Sequence, residues 1–264
     1  MPSRINDCLM NKNDSTLRRI KVLSLVLLLA MSGNSATAAV MAVSNYTATN
    51  YTFTSLTIGE NIYSDLTGST ANVVADAGDL IYWMQGTTPA YSGTGNANTV
   101  ASGLSYREGI GNINVGSTFQ FGRTITSLDF IFLTDYGTTE PVTFQLVNSS
   151  NTVLGTYSIS ITAAQFGTSD LIASTTYSTV FNSSGSGSDI TGGQRAVAFQ
   201  LADFVGTGDL STATGIRLSA QGDGVDPSVV GLAAIPEPSS FLLLGLSGAL
   251  LLLNRRQGPR FRLS

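Results

Sequence analysis

Apolar side chains at every second position constrain most of this chain to β-strands. The alternation is clearest at 128–132, 142–146 and 157–161. Because successive side chains of a strand point to opposite faces, this period predicts strands with one buried and one exposed side. In the first run, Phe130 and Phe132 are expected to face inward with Leu128, and Asp129 and Ile131 to face the other way.

The chain between 39 and 235 carries many such strands and no convincing helix signal. A hairpin is predicted at 142–161, since Asn and Ser at 148–151 can hydrogen-bond their own backbone in a turn. Further strands are predicted at 51–58, 80–84, 117–121, 172–181, 196–202, 215–220 and 229–235. Many strands separated by glycine-rich turns predict an all-β fold, an antiparallel β-sandwich of jelly-roll or immunoglobulin-like type.

The N-terminal 38 residues are typical of a secretory signal. Arg18, Arg19 and Lys21 precede an apolar run at 22–30, which is too short to span a bilayer. Small residues follow, and Ala36 and Ala38 form an A-x-A cleavage site. We therefore expect a signal helix at 1–38 that is removed by the secretion machinery to leave Ala39 as the first mature residue. Initiation at Met10 would give this signal a more usual length.

The C-terminus has a second short apolar segment in a different arrangement. Pro236, Glu237 and Pro238 precede an apolar stretch at 241–253, and Arg255 and Arg256 follow it. The stretch is shorter than the roughly 20 residues of a full span, so it would cross a bilayer only with thinning or snorkelling of its arginines. Cations on its far side predict a cytoplasmic end. We expect a short transmembrane helix at 236–264.

These tail residues, in this order, resemble the PEP-CTERM sorting signal. The resemblance covers about the last thirty residues, and the tail after Arg256 is longer than expected for the family. It implies processing by an exosortase, an inner-membrane-anchored intermediate, and final location at the cell surface or in the matrix of a Gram-negative bacterium. It also implies an association with exopolysaccharide, as in a biofilm.

The composition between the two terminal segments excludes several kinds of chemistry. Residues 39–235 contain no His, Cys or Lys, so they cannot form a Ser-His-Asp triad, a thiol nucleophile, a Schiff base or an ordinary zinc site. Four arginines stand against fourteen acids, which gives a net charge of −10. A nucleic-acid partner is not expected, because phosphate binding needs a basic patch. No cofactor is expected apart from calcium.

Two groups of residues between 39 and 235 are candidates for ligand binding. Asp223 and Asp226 lie on one predicted turn and could present oxygens to calcium, as could Asp76 and Asp79, but either pair would need further ligands from elsewhere in the fold. A solvated turn is the alternative interpretation. Aromatic rings could hold glycans, and the candidates are Tyr82, Trp83, Tyr91 and Tyr106. Core packing is the alternative for these rings.

Three functional classes follow, in order of preference. The first is a non-catalytic exported protein of the cell surface or matrix, sorted by an exosortase. The second is a lectin-like module that binds a defined glycan through Trp83 and neighbouring tyrosines. The third is a glycoside hydrolase, which needs two carboxylates at a set separation. Its glutamates would come from Glu60, Glu108 and Glu140, whose spacing selects no pair, and a surface charge is the alternative interpretation of each.

Overall fold

The structure, a computed structural model, describes residues 39–74, 79–87, 102–137, 140–181, 187–221 and 226–234. Contacts divide the chain between Ala38 and Ala39, and every described residue belongs to the second unit. The predicted signal helix and transmembrane helix lie outside the described residues. Among the residues that are described, no helix has the length and apolar character needed to cross a membrane.

The described residues form β-strands joined by turns, with two 3-10 helices at Ala163–Phe166 and Leu201–Asp203. The strands are β1 (Met41–Thr49), β2 (Thr52–Ile58), β3 (Asn61–Tyr63), β4 (Asp65–Gly68), β5 (Thr70–Asn72), β6 (Leu80–Met84), β7 (Glu108–Ile110), β8 (Thr118–Gln120), β9 (Asp129–Tyr136), β10 (Val142–Val147), β11 (Val153–Ile161), β12 (Ile172–Phe181), β13 (Ile190–Gln200), β14 (Gly215–Gln221) and β15 (Val230–Ala234).

These strands form two antiparallel sheets. The larger sheet has the order β3-β2-β1-β13-β12-β6-β7, and β9, β15 and β4 extend it from β13. The smaller sheet has the order β11-β10-β14-β8-β5. The sequence-based prediction of an all-β, antiparallel sandwich is therefore confirmed.

One hydrophobic core lies between the two sheets. Phe144 and Leu218 of the smaller sheet and Ile131 and Phe199 of the larger one are at most 1 % exposed. The rings of Phe144 and Phe199 stack across the interface with centroids 6.2 Å apart. Each fully buried phenylalanine contributes about 2–3 kcal/mol of hydrophobic stabilisation, so this layer holds the two sheets face to face.

A second core lies on the opposite face of the larger sheet. β1 pairs with β13 only at Met41 and Ala42 and then continues as a hairpin with β2. The side chains of this hairpin, among them Phe53, pack with Phe132, which points away from the smaller sheet. The ring centroids of Phe53 and Phe132 are 6.4 Å apart. The larger sheet is therefore covered on both faces where β9 and β13 lie.

This double coverage corrects the prediction for 128–132. Ile131 is fully buried against the smaller sheet, while Phe130 and Phe132 are buried against the second core. Asp129 is only 2 % exposed, because the Arg123 guanidinium binds both of its carboxylate oxygens at 2.7 and 2.8 Å. Leu128, which precedes the strand, is 54 % exposed. β9 is thus a central strand with two apolar faces, not a half-buried one.

The predicted hairpin between β10 and β11 is confirmed. The Asn148 side-chain oxygen accepts hydrogen bonds from the backbone N–H groups of Ser150 and Thr152, both at 3.0 Å. Asn151 completes the turn with a φ of 59°, a left-handed conformation that asparagine tolerates better than most residues. The side chain of Asn148 therefore supplies the turn bonds that the sequence pattern predicts.

Candidate functional site

The predicted glycan-binding aromatics are mostly part of the protein interior. Tyr82 is 1 % exposed, and its hydroxyl donates to the backbone oxygen of Asp226 at 2.7 Å. Its ring contacts those of Tyr136 and Tyr177 at centroid distances of 5.1 and 5.4 Å. Trp83 points to the other face of β6, where it is half-buried against the core between the sheets. Tyr82 therefore offers no ring face to a sugar, whereas the role of Trp83 stays a prediction.

Tyr106 is also buried, at 8 % exposure, and is surrounded by other aromatic rings. Its ring centroid lies 5.0 Å from that of Phe53 and 5.6 Å from that of Tyr46. Burial, with a contribution from hydrogen bonding with Tyr46, raises the pKa of its hydroxyl to about 12. Tyr106 is a packing residue of the second core, and Tyr91 lies outside the described residues.

The acidic candidates form a cluster in which the half-buried Asp226 lies beside the buried Asp79 and Asp135. Its Oδ1 accepts from the backbone N–H of Asn112 at 2.6 Å, and its own N–H donates to Oδ1 of Asp135 at 2.8 Å. Burial, with a smaller contribution from the charge of the buried Asp79, raises the pKa of Asp226 to about 6. Burial likewise raises the pKa of Asp135 well above its ordinary value. These contacts attach the chain at Asp226 to β9 and to the loop after β7.

This cluster brings together Asp79 and Asp226, one from each predicted calcium pair, and adds Asp135. Nevertheless, within the part of the chain that the structure describes, no three acidic side chains are arranged to hold a metal ion. Asp76 and Asp223 lie outside the described residues, so calcium binding stays a prediction. The role that the described contacts support is structural, because the hydrogen bonds that join Asp226 to Tyr82, Asn112 and Asp135 hold separate segments together.

The candidate glycosidase carboxylates are not gathered into a site. Glu108 is 4 % exposed and lies 3.7 Å from the Arg107 guanidinium. Glu60 is exposed in the turn after β2, and Glu140 is half-buried just before β10. Glu108 was expected to be a surface charge if it had no catalytic role, and its burial in a pair with Arg107 corrects that expectation. The nearby guanidinium offsets part of the cost of burying this carboxylate.

Sequence reasoning missed a continuous polar face on the outside of the smaller sheet. Residues of its five strands alternate between the core and solvent, so the residues next to core positions face outward together. Strand register aligns one row across all five strands: Gln145 pairs with Ser158 and Arg217, and Thr118 pairs with Arg217 and Asn72. At about 4.8 Å between strands, the row is about 19 Å long.

The five side chains of this row make no hydrogen bond or ion pair with any described residue. The neighbouring positions differ, since the Thr143 and Ser160 hydroxyls bond each other at 3.0 Å. Gln120 donates to Asn151 Oδ1 at 2.7 Å and accepts from the Thr214 hydroxyl at 2.8 Å. The Thr118 hydroxyl is buried and still lacks a partner among the described residues. Periodicity could have identified these residues as outward-facing, but their alignment in one row required the register.

Comparisons of this chain with protein-family models, with curated proteins and with solved structures found no match.

Proposed function

We propose that this chain is a non-catalytic exported protein of the bacterial cell surface or extracellular matrix, where it associates with exopolysaccharide. The observation that carries the proposal is the order of Pro236-Glu237-Pro238, an apolar stretch at 241–253, and Arg255-Arg256. In this proposal a signal helix at 1–38 is removed after Ala38. An exosortase then processes a short transmembrane helix at 236–264 and releases a sandwich of jelly-roll or immunoglobulin-like type.

The composition and the polar surface of the domain are compatible with a location outside the cell, in contact with hydrated polysaccharide. The region 39–235 lacks Cys, so its stability does not depend on the redox state of its surroundings. The outer face of the smaller sheet carries hydroxyl and amide groups that can both donate and accept hydrogen bonds. Polysaccharides present the same kind of groups, so this face is chemically suited to them.

A second candidate function is a carbohydrate-binding module that holds a defined glycan. The unbonded polar row on the smaller sheet favours it more than the aromatic set does, because Tyr82 and Tyr106 are buried. Glycoside hydrolysis stays third, since the buried Glu108 is paired with Arg107. Binding of one defined glycan in an array and of no other polysaccharide, lost in Arg217→Gln but kept in Trp83→Ala, would favour the module with the polar row as its site.

Mass spectrometry of the protein from an exosortase-containing Gram-negative host tests the proposal. We expect the wild type to begin at Ala39, to lack the residues after the Pro-Glu-Pro motif, and to fractionate with the cell surface or medium. A variant with Pro236→Ala and Pro238→Ala is expected to keep its tail and to stay in the inner membrane. Pro141→Ala, an exposed proline before β10, is the matched control. Recovery of the intact 264-residue chain from the cytoplasm would contradict the proposal.

A further inference from the structure

We infer that the outer face of the smaller sheet binds an acidic polysaccharide, with a sugar carboxylate on Arg217. This inference rests on the proposed function and specifies its ligand. The carboxylate would lie near the middle of the row formed by Ser158, Gln145, Arg217, Thr118 and Asn72. Sugar hydroxyls on either side would exchange hydrogen bonds with the neighbouring amides and hydroxyls.

Three of the four arginines between 39 and 235 lie close to an acid. Arg123 binds Asp129, Arg195 lies 3.3 Å from Asp170, and Arg107 lies near Glu108. The remaining one, Arg217, forms no ion pair or side-chain hydrogen bond with any described residue. Acids outnumber arginines more than three to one in this region, so the lack of a partner for Arg217 among the described residues does not reflect a shortage of acids. Its planar fork of donors suits an external carboxylate.

Arg217 is the single charged residue in the five strands of this face. The flanking residues Ile216 and Leu218 are fully buried, which directs Arg217 to the outside of β14. No other Arg, Lys, Asp or Glu occurs in the five strands β5, β8, β10, β11 and β14. The face therefore combines one cation with uncharged hydrogen-bonding groups. A protein partner is less suited to it, because protein interfaces are richest in aromatic and apolar anchors, which are absent from the row.

The side chains of the row make no hydrogen bonds with other described residues, so their polar groups are available to a ligand. Next to Arg217, the hydroxyl of Thr118 is buried and has no hydrogen-bond partner among the described residues, which is unfavourable for a buried polar group. At the β11 end, Ser158 also lines a cleft of about 540 Å³ with Ser160, Gln165 and Asp203. Val40 and Val205 line the same cleft, so the row runs into a concave surface of mixed polar and apolar character. Because Asp203 would repel an anion at that end, the carboxylate belongs at Arg217, two strands away.

The excess of acids elsewhere in the domain repels a polyanion at long range and so opposes its binding. This repulsion is screened beyond about 8 Å at 0.15 M salt, whereas a direct guanidinium-carboxylate contact persists. The ligand that fits best therefore carries spaced carboxylates among neutral sugars, not a continuous run of charge.

Binding of the purified protein to polygalacturonan with half of its carboxyls methyl-esterified tests the inference at 0.15 M salt. The fully esterified polymer, which has the same backbone without charge, is the ligand control. We expect saturable binding of the half-esterified polymer, and binding of the neutral polymer that is about 10- to 100-fold weaker, the range of one charge-assisted contact. Arg217→Gln should lower affinity by the same factor. Arg195→Gln removes the same charge from a paired arginine and should leave affinity unchanged.

Gln145→Glu provides an independent variant, since it places a carboxylate next to Arg217 and should abolish binding. Unchanged thermal unfolding of each variant shows that the sheet is intact. Equal binding of both polymers, or wild-type affinity in Arg217→Gln, would overturn the inference. The proposed function is tested separately, by the cell fractionation. If the protein is exported and retained at the surface but does not bind the acidic polymer, only the present inference is refuted.

Discussion

Replacing Asp226 by asparagine should stabilise the protein at neutral pH and remove part of its pH dependence. Burial, with the charge of Asp79, raises the pKa of Asp226 from 3.8 to about 6. The folded state therefore holds this proton more tightly than the unfolded chain does. Stability from this group is complete below pH 4 and is lost as the pH rises through 6.

The magnitude follows from the size of the pKa change. One pKa unit corresponds to roughly 1.4 kcal/mol, so a carboxyl moved from 3.8 to about 6 costs about 3 kcal/mol at pH 7. Partial contact of Asp226 with solvent reduces the expected gain in Asp226→Asn to about 2 kcal/mol. The asparagine oxygen can still accept from the Asn112 N–H, so the hydrogen bond at Oδ1 is kept.

Urea unfolding between pH 4 and 7, followed by the fluorescence of the single tryptophan, measures this effect. We expect wild type and Asp226→Asn to have similar free energies of unfolding at pH 4 and to diverge as the pH rises. Glu60→Gln, which removes an exposed acid in the turn after β2, should follow the wild type. A stability difference between Asp226→Asn and wild type that does not change with pH would refute the reasoning.

Three further predictions concern the fold and use the same unfolding assay. Arg123→Ala should cost about 3 kcal/mol, because it leaves the buried Asp129 carboxylate without its cation; equal stability would show that water replaces the pair. Phe199→Ala should cost about 3–5 kcal/mol by opening a cavity between the sheets, and a loss below 1 kcal/mol would contradict the packing. Gly155→Ala should destabilise β11, since a methyl group there meets the Thr207 backbone oxygen at a φ of 57°; wild-type stability would rule out that close approach.

For the candidate site residues, the local sequence indicates the chemistry of each side chain but not which residues surround it. The adjacent positions of Tyr82 and Trp83 predict that they face opposite sides of a strand, and β6 has this arrangement. Tyr82 is buried against Tyr136 and Tyr177, which lie 54 and 95 residues away along the chain. The local sequence therefore does not predict its burial. Likewise, nothing near Asp226 in sequence indicates that Asp135 would bond its backbone.

The sequence by itself determined the class of fold and most of the strand positions. The predicted strands at 80–84 and 172–181 coincide with β6 and β12, because alternation and turn residues act over a few neighbours. β1 was missed, since its outward Ser and Thr residues and few apolar ones weaken the alternation.

Only the tertiary structure decided which faces are covered. The β1–β2 hairpin folds over the larger sheet, so β9 is buried on both sides. The apolar run at 130–133 is consistent with this burial, but it does not indicate which element covers the second face. Register, too, is a property of paired strands: it places Gln145, Arg217 and Thr118 in one row although they are far apart in sequence. A local pattern specifies the side of a strand on which a residue lies, whereas its neighbours across the sheet depend on long-range pairing.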